Sequence, residues 1–368
     1  MTKRDVLDAI AAGTASSGPR TVHFDVTNAC NAKCITCWDH SPLLHEQRSN
    51  AWKKTRLDLA TFDGLVADLA GMNSVKAVIL SGMGDPLVHP DIYAMIDRIK
   101  ARGWHLTVMT NLIAADIDRL VRANVDQILV GVHGATPVAY SAFHPGWDER
   151  EFFLLCSHLR ALAATPTKVR HVQVINRDTA PDVVDMVRFG HRFRADRINY
   201  KLASLAGGTE TCRIDEPQRR WLIDDAVPRA RALAAELGVA TNLDLFSHQL
   251  DANVDDDMQT VPIADVGCFM GYLYTRITAT GEVLYCCNTE VKVGSLSNAR
   301  FPELWFGPAW QALRERMRSG DYFGGCARCG KFEQNVKWSQ RVREELGDDA
   351  WRAAIGVGAT KPVRLRVV

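Results

Sequence analysis

No part of this chain approaches the roughly 18 uninterrupted apolar residues that a membrane span requires, so its hydropathy offers no membrane-crossing helix. Met1–Arg20 carries charge and small side chains but no apolar core segment, and does not read as a secretory signal. Charge of one sign is scarce as well. The formal net charge is +1, which leaves no broad electrostatic footprint for nucleic acid or anionic lipid. Internal repeats and low-complexity tracts are absent, which excludes a solenoid or a repeat array. What remains is a globular chain of 368 residues, 47% of them hydrophobic. That length suits about two domains.

Cysteine, by contrast, is plentiful. Ten cysteines without a secretory signal point to metal or redox work in a reducing cytoplasm rather than to a disulfide framework. Cys30, Cys34 and Cys37 form a Cys-x3-Cys-x2-Cys loop just behind an apolar run. An iron–sulfur cube usually takes four thiolates, so three in one short loop leave one iron for an outside ligand. A second set, Cys268, Cys286, Cys326 and Cys329, follows the pattern Cys-x17-Cys-x39-Cys-x2-Cys. By spacing alone it suits structural zinc and an iron–sulfur cluster about equally, because both use four thiolates. Cys287 adjoins Cys286. Neighbours in an extended segment point opposite ways, which makes Cys287 a packed or supporting thiol. Cys156 lies in an apolar helical segment and reads as core.

Short apolar runs alternate with amphipathic stretches from Thr21 to Leu202. Strands are expected at Thr21–Val26, Val75–Leu80, His105–Thr110, Gln127–Val132, Lys168–Ile175 and Arg197–Leu202. Helices are expected near Thr61–Ala70, Asp91–Arg102, Ala114–Ala123, Glu151–Ala163 and Pro181–Arg192. This alternation predicts a parallel sheet with its ligand residues at the C-terminal strand ends. Six units suit a partial (β/α)6 barrel of the TIM type. The expected division is an N-terminal extension (1–20), the barrel (21–202), a linker and helix near Glu216–Leu237 with an acidic stretch around Asp251–Asp257 (203–263), a cysteine-rich module (264–330), and a C-terminal helix at Phe332–Leu346 with a basic tail at Lys361–Val368 (331–368). Trp38–Arg56 is a long connection, either a cover over the site or a surface insertion.

The cysteine loop resembles the signature of the radical S-adenosylmethionine (SAM) enzymes. Ser81-Gly82-Met83-Gly84-Asp85-Pro86 resembles the Gly-Gly-Glu-Pro turn of that family, with Met83 and Asp85 in place of Gly and Glu. Thr110-Asn111 resembles its Thr-Asn pair. The resemblance implies a [4Fe–4S] cluster held by Cys30, Cys34 and Cys37, with its open iron chelated by SAM. It also implies SAM contacts from Ser81, Gly82, Gly84, Asp85, Pro86, Thr110 and Asn111. Thr36 stands where relatives often have an adenine-packing aromatic, and Trp38 is an alternative platform. Gly281-x4-Cys286 and Cys326-x2-Cys329, with Val293-Gly294-Ser295-Leu296 between, resemble the C-terminal SPASM/twitch module. That likeness moves the balance from zinc to one auxiliary [4Fe–4S] cluster. The cysteine pattern also resembles that of 2-deoxy-scyllo-inosamine dehydrogenase.

The family likeness implies reductive SAM cleavage, hydrogen abstraction by a 5′-deoxyadenosyl radical, and electron transfer to the auxiliary cluster. The expected activity is a dehydrogenase-like oxidation of a sugar, cyclitol or similar small metabolite. The alternative is crosslinking or epimerisation of a ribosomal peptide. A non-catalytic metal scaffold is the third reading, at odds with three ordered SAM motifs. The short segment before the first strand tilts the choice toward a small molecule. The reductant expected is a flavodoxin or ferredoxin type. An alcohol oxidation also needs a base, for which Tyr200, Lys201 and His133 at strand ends are the candidates. Cys212, past the sixth strand, is a candidate hydrogen donor for an epimerase or a packed small hydrophobe.

Overall fold

The computed structural model describes residues 2–252 and 262–356. The expected acidic stretch lies mostly, and the basic tail entirely, outside these described residues. Among the described residues nine strands make one sheet: β1 (Thr21–Asp25), β2 (Ala77–Ser81), β3 (His105–Thr110), β4 (Gln127–Gly131), β5 (Lys168–Ile175), β6 (Arg197–Leu202), β7 (Tyr274–Ile277), β8 (Glu282–Leu284) and β9 (Lys292–Ser295). Their order is β6-β5-β4-β3-β2-β1-β7-β8-β9. β1 to β6 pair in parallel, as the strand–helix alternation predicts, and form the partial barrel.

Alternation along each strand sorts the side chains. Val22, Phe24, Val78, Leu80, Leu106, Val108, Ile128 and Val130 are fully buried against the outer helices. Those helices are Leu59–Gly71, Ile92–Ala101, Ile117–Arg122, Glu149–Ala163 and Val183–Arg192. The opposite positions, including His23, Asp25, Ser81, Arg197 and Lys201, face the concave interior. Helix starts follow local capping chemistry. Asp58, Asp116 and Asp148 each accept a backbone N–H from the first turn, which satisfies donors the helix itself cannot. Asp116 also explains why the helix expected from Ala114 starts at Ile117.

The cysteine-rich module is not a separate bead. Its β7 joins β1 in parallel, with His23 opposite Arg276, and β8 and β9 continue the sheet antiparallel. Trp305 and Trp310 close over it around Arg314, whose side chain donates to the carbonyls of Gly271 and Trp305 at 3.0 and 3.1 Å. The N-terminal stretch forms a capped helix, Lys3–Ala12, packed with Tyr272, Trp351 and Ile355. The expected helix over Glu216–Leu237 is interrupted by a wider π turn at Leu222–Ala226. Pro228, one residue beyond Val227, lacks the N–H that an α-helical turn would use there. A further helix, Leu243–Ala252, stacks Phe246 on Tyr200, 5.9 Å between rings.

Candidate active site

The Cys30–Cys37 loop leaves β1 at the C-terminal edge of the barrel and is held from several sides. Ile35 N–H donates to the Phe143 carbonyl at 3.0 Å, and Ser41 Oγ to the Ile35 carbonyl at 2.7 Å. Backbone N–H groups point at two of the thiols: Ala32 at Cys30, and Asp39 and His40 at Cys37. Such donors favour thiolate, but burial dominates and pushes all three thiols upward, Cys30 to about 12. Without a metal these cysteines stay protonated at neutral pH; a bound metal supplies the positive charge that a buried thiolate lacks.

The Gly82–Pro86 turn meets this loop backbone to backbone. A Cβ on Gly84 would lie 1.8 Å from the Ala29 carbonyl oxygen, and one on Gly82 2.3 Å from that of Thr27. The glycines are therefore required by the cluster loop itself. Asp85 is nearly fully buried and accepts from Leu87 N–H, the Thr110 hydroxyl and Asn111 N–H at 2.6–2.9 Å. It welds the glycine turn, capped by Pro86, to the Thr-Asn pair. Asn111 in turn donates to Asn31 Oδ1 at 2.8 Å. Asn31 sits between two cluster cysteines, and its part in the site was not apparent from spacing. Trp38 is 57% exposed and its indole N–H donates to the Ser204 carbonyl at 2.7 Å, which fixes the ring at the rim.

Ser81 turns into a buried network that the sequence did not announce. Its hydroxyl donates to Asp25 Oδ1 at 3.0 Å. It must then accept from His23 Nε2–H, which leaves His23 Nδ1 to accept from the Tyr274 hydroxyl at 2.7 Å. Asp25 Oδ2 receives Arg276 Nε at 2.7 Å, and the same guanidinium donates to the Cys287 carbonyl at 3.2 Å. Burial holds His23 well below its usual range, so it is neutral. Burial also raises Asp25, against the opposing pull of Arg276 and Ser81. This chain runs from the end of β1 to the cysteine-rich module.

The base candidates separate. Tyr200 points outward into the helix-packed core, where its hydroxyl donates to the Val183 carbonyl at 3.1 Å, because it has the opposite strand parity to Lys201. Lys201 projects into the open interior, enclosed by protein yet reached by solvent. Its pKa is lowered by desolvation, partly opposed by Cys287. His133 has a left-handed backbone, φ 55°. Its Nδ1 accepts from Val174 N–H at 3.1 Å and its ring stacks on Phe143 at 4.4 Å. Burial keeps it neutral, with His144 and Lys201 pushing the same way. Cys212 is buried behind the cluster loop with Ile35, Phe143, Ala203 and Leu205. It also lines a cavity of about 320 Å³ with Asn176 and Arg213.

At the second cysteine set, Cys268 follows the helix Ile263–Val266, Cys286 follows β8, and Cys326 and Cys329 flank a tight turn. Asn335 is fully buried and bridges two of these segments: its Oδ1 accepts from Phe269 N–H at 2.9 Å and its Nδ2 reaches Cys329 Sγ at 3.9 Å. The four cysteines stand on three separate segments, and a cluster takes each thiolate on a separate iron. The donor set fits a cluster. Cys287 departs from expectation. The chain bends at Tyr285–Cys287, so strand alternation lapses and its thiol faces those of Cys286 and Cys329.

A sheet of this topology, with three thiols at the end of β1 and a four-cysteine module on its edge, defines a two-cluster iron–sulfur enzyme. The Radical SAM superfamily model matches residues 24–190, and the SPASM iron–sulfur cluster-binding domain matches residues 268–330. The chain carries a radical SAM domain followed by a C-terminal SPASM module. Its cofactors are accordingly a [4Fe–4S] cluster with SAM and an auxiliary iron–sulfur cluster. It is 24% identical to pre-heme d1 synthase of Dinoroseobacter shibae over 93% of this chain and 86% of that one. It is 31% identical to 7-carboxy-7-deazaguanine synthase of Halobacterium salinarum, over only 24% of this chain and 30% of the relative's length. The solved structure of Streptococcus suis SuiB bound to precursor peptide SuiA superposes with a TM-score of 0.59 at 15% identity, covering 90% of this chain and 74% of that one. That likeness concerns the fold. No helix among the described residues is long and apolar enough to cross a membrane.

Proposed function

We propose that the protein oxidises a small polar metabolite, a sugar, cyclitol or similar alcohol, held in the barrel between the SAM end and the auxiliary module. When bound, SAM and its cluster supply a hydrogen-abstracting 5′-deoxyadenosyl radical, and the auxiliary cluster supplies an acceptor for the second electron. The protein itself must bind the alcohol, keep water out and take its hydroxyl proton. One observation carries the reading: Lys201, on the inner wall, lies within electrostatic reach of both His133 at the end of β4 and Cys287 of the auxiliary module. Lys201 thus stands between the two ends of the chemistry. A lysine whose pKa is lowered by its surroundings suits a proton acceptor, and the polar inner face of Arg197 and Lys201 suits hydroxyl groups. A flavodoxin or ferredoxin in a reducing cytoplasm is the proposed electron source.

A second reading, modification of a peptide, draws support from the peptide-bound SuiB neighbour, whose fold covers most of this chain. Anaerobic turnover with deuterated cyclitols, sugars, peptides and tetrapyrroles tests both, by tracing label into 5′-deoxyadenosine. A small-molecule product lighter by two hydrogens supports the first reading, and label from a peptide alone overturns it. In Lys201→Met, product formation is expected to fall about 100-fold, the scale of lost acid–base catalysis, while SAM cleavage persists. Tyr200→Phe should leave both unchanged. Undiminished product from Lys201→Met removes Lys201 from the role.

A further inference from the structure

We infer that the auxiliary site presents five thiols to its cluster, and that Cys286 and Cys287 are alternative ligands for one iron. A [4Fe–4S] cluster takes four thiolates, and the spacing pattern already provides four in Cys268, Cys286, Cys326 and Cys329. Cys287 would be superfluous if it faced away. It does not. The bend over Tyr285–Cys287 turns its thiol toward those of Cys286 and Cys329, two of these four cysteines on separate segments.

Three further observations make this side of the site suited to a ligand. Gly330 lies against it, since a Cβ there would meet Cys287 Sγ at an ordinary contact distance of 3.5 Å. Arg276 holds the Cys287 carbonyl from β7 at 3.2 Å, which fixes the bend. Lys331 and Lys201 both direct positive charge at the Cys287 sulfur from different elements, the environment in which a cluster thiolate is stabilised. Cys286 has the complementary surroundings. It packs against the apolar clusters around Tyr285 and Phe269 and receives Asn288 N–H at 3.4 Å. Two consecutive cysteines thus reach the same site from an apolar and a cationic side. Cys268, Cys326 and Cys329 hold the remaining irons. The inference depends on the auxiliary cluster and is independent of the substrate.

The experiment uses the full chain with Cys30, Cys34 and Cys37 changed to Ala, so that only the auxiliary site is counted. Cys286→Ala, Cys287→Ala and the double variant are reconstituted anaerobically, then compared by iron and sulfide content and by the EPR spectrum of the reduced cluster. Each single variant is expected to keep at least half of the parent's iron, and the double variant less than about a tenth of it. The two single variants should give different EPR signals, each a component of the parent's. Iron loss in Cys286→Ala as complete as in the double variant overturns the inference. So does a Cys287→Ala spectrum identical to the parent's. Far-UV circular dichroism must match the parent, and Cys286→Ser replaces a Cys286→Ala protein that does not fold. The EPR comparison on Cys287→Ala decides the matter even if neither Cys286 variant folds.

Discussion

Arg276→Met isolates what the buried ion pair between β1 and β7 does. Arg276 Nε lies 2.7 Å from Asp25 Oδ2, and the Asp25 side chain is fully buried. At that separation the attraction is about 6 kcal/mol for an effective dielectric constant near 20, and most of it is spent on taking both charges out of water. Burial already wins at Asp25, whose pKa is raised even with its partner present. Removing the guanidinium leaves a carboxylate with one hydroxyl donor, from Ser81, and no charge partner. Breaking a buried pair in this way costs about 3–5 kcal/mol.

The pH dependence follows from the sign of the shift. In the variant Asp25 climbs further above its unfolded value, so the folded state binds a proton that the unfolded state has released. Stability therefore falls as pH rises from the unfolded pKa toward the folded one, by about 1.4 kcal/mol per unit, and then levels off. Urea denaturation of the cluster-loaded protein at pH 5.5 and pH 8, followed anaerobically by tryptophan fluorescence, measures this. Arg276→Met should lose more stability relative to wild type at pH 8. Asp25→Leu/Arg276→Met should recover most of the loss, since no orphaned charge remains. A destabilisation that is equal at both pH values, or a double variant worse than the single, refutes the reasoning.

Two further predictions concern other parts of the barrel. Gly84→Ala forces a Cβ into the Ala29 carbonyl. It should displace the Cys30–Cys37 loop, lose the radical-SAM cluster's irons (about four of about eight) and abolish 5′-deoxyadenosine formation, whereas Gly64→Ala, with open space around it, should affect neither. His171 is fully buried on β5, neither of its ring nitrogens hydrogen-bonds to a described residue, and burial pushes it down to about 4. A depressed histidine contributes stability that is lost as pH falls from about 6.5 through its folded value, on the order of 3 kcal/mol in total. His171→Phe should therefore flatten the acid limb of the stability curve between pH 6.5 and 4, and an unchanged slope in urea titrations would count against it.

Much of this architecture was written locally. The strands at His105–Thr110, Lys168–Ile175 and Arg197–Leu202 and the helix at Phe332–Leu346 stand where apolar periodicity put them, because each buries one face and exposes the other. The two cysteine sets were legible because metal-ligand spacing is a property of residues close in sequence. Asn31 beside Asn111, Asn335 between Phe269 and Cys329, and the chain Tyr274–His23–Ser81–Asp25–Arg276 could not be read this way. Their partners lie far apart in sequence, up to 251 positions for Asp25 and Arg276, and meet only because β7 joins the edge beside β1. Strand parity around Tyr200 and Lys201 was available from the sequence, but which parity faced the interior was decided by the helices that cover the other side. Cys287 marks the same limit at shorter range: a bend of three residues, held by an arginine from another strand, turned an outward thiol toward its neighbours.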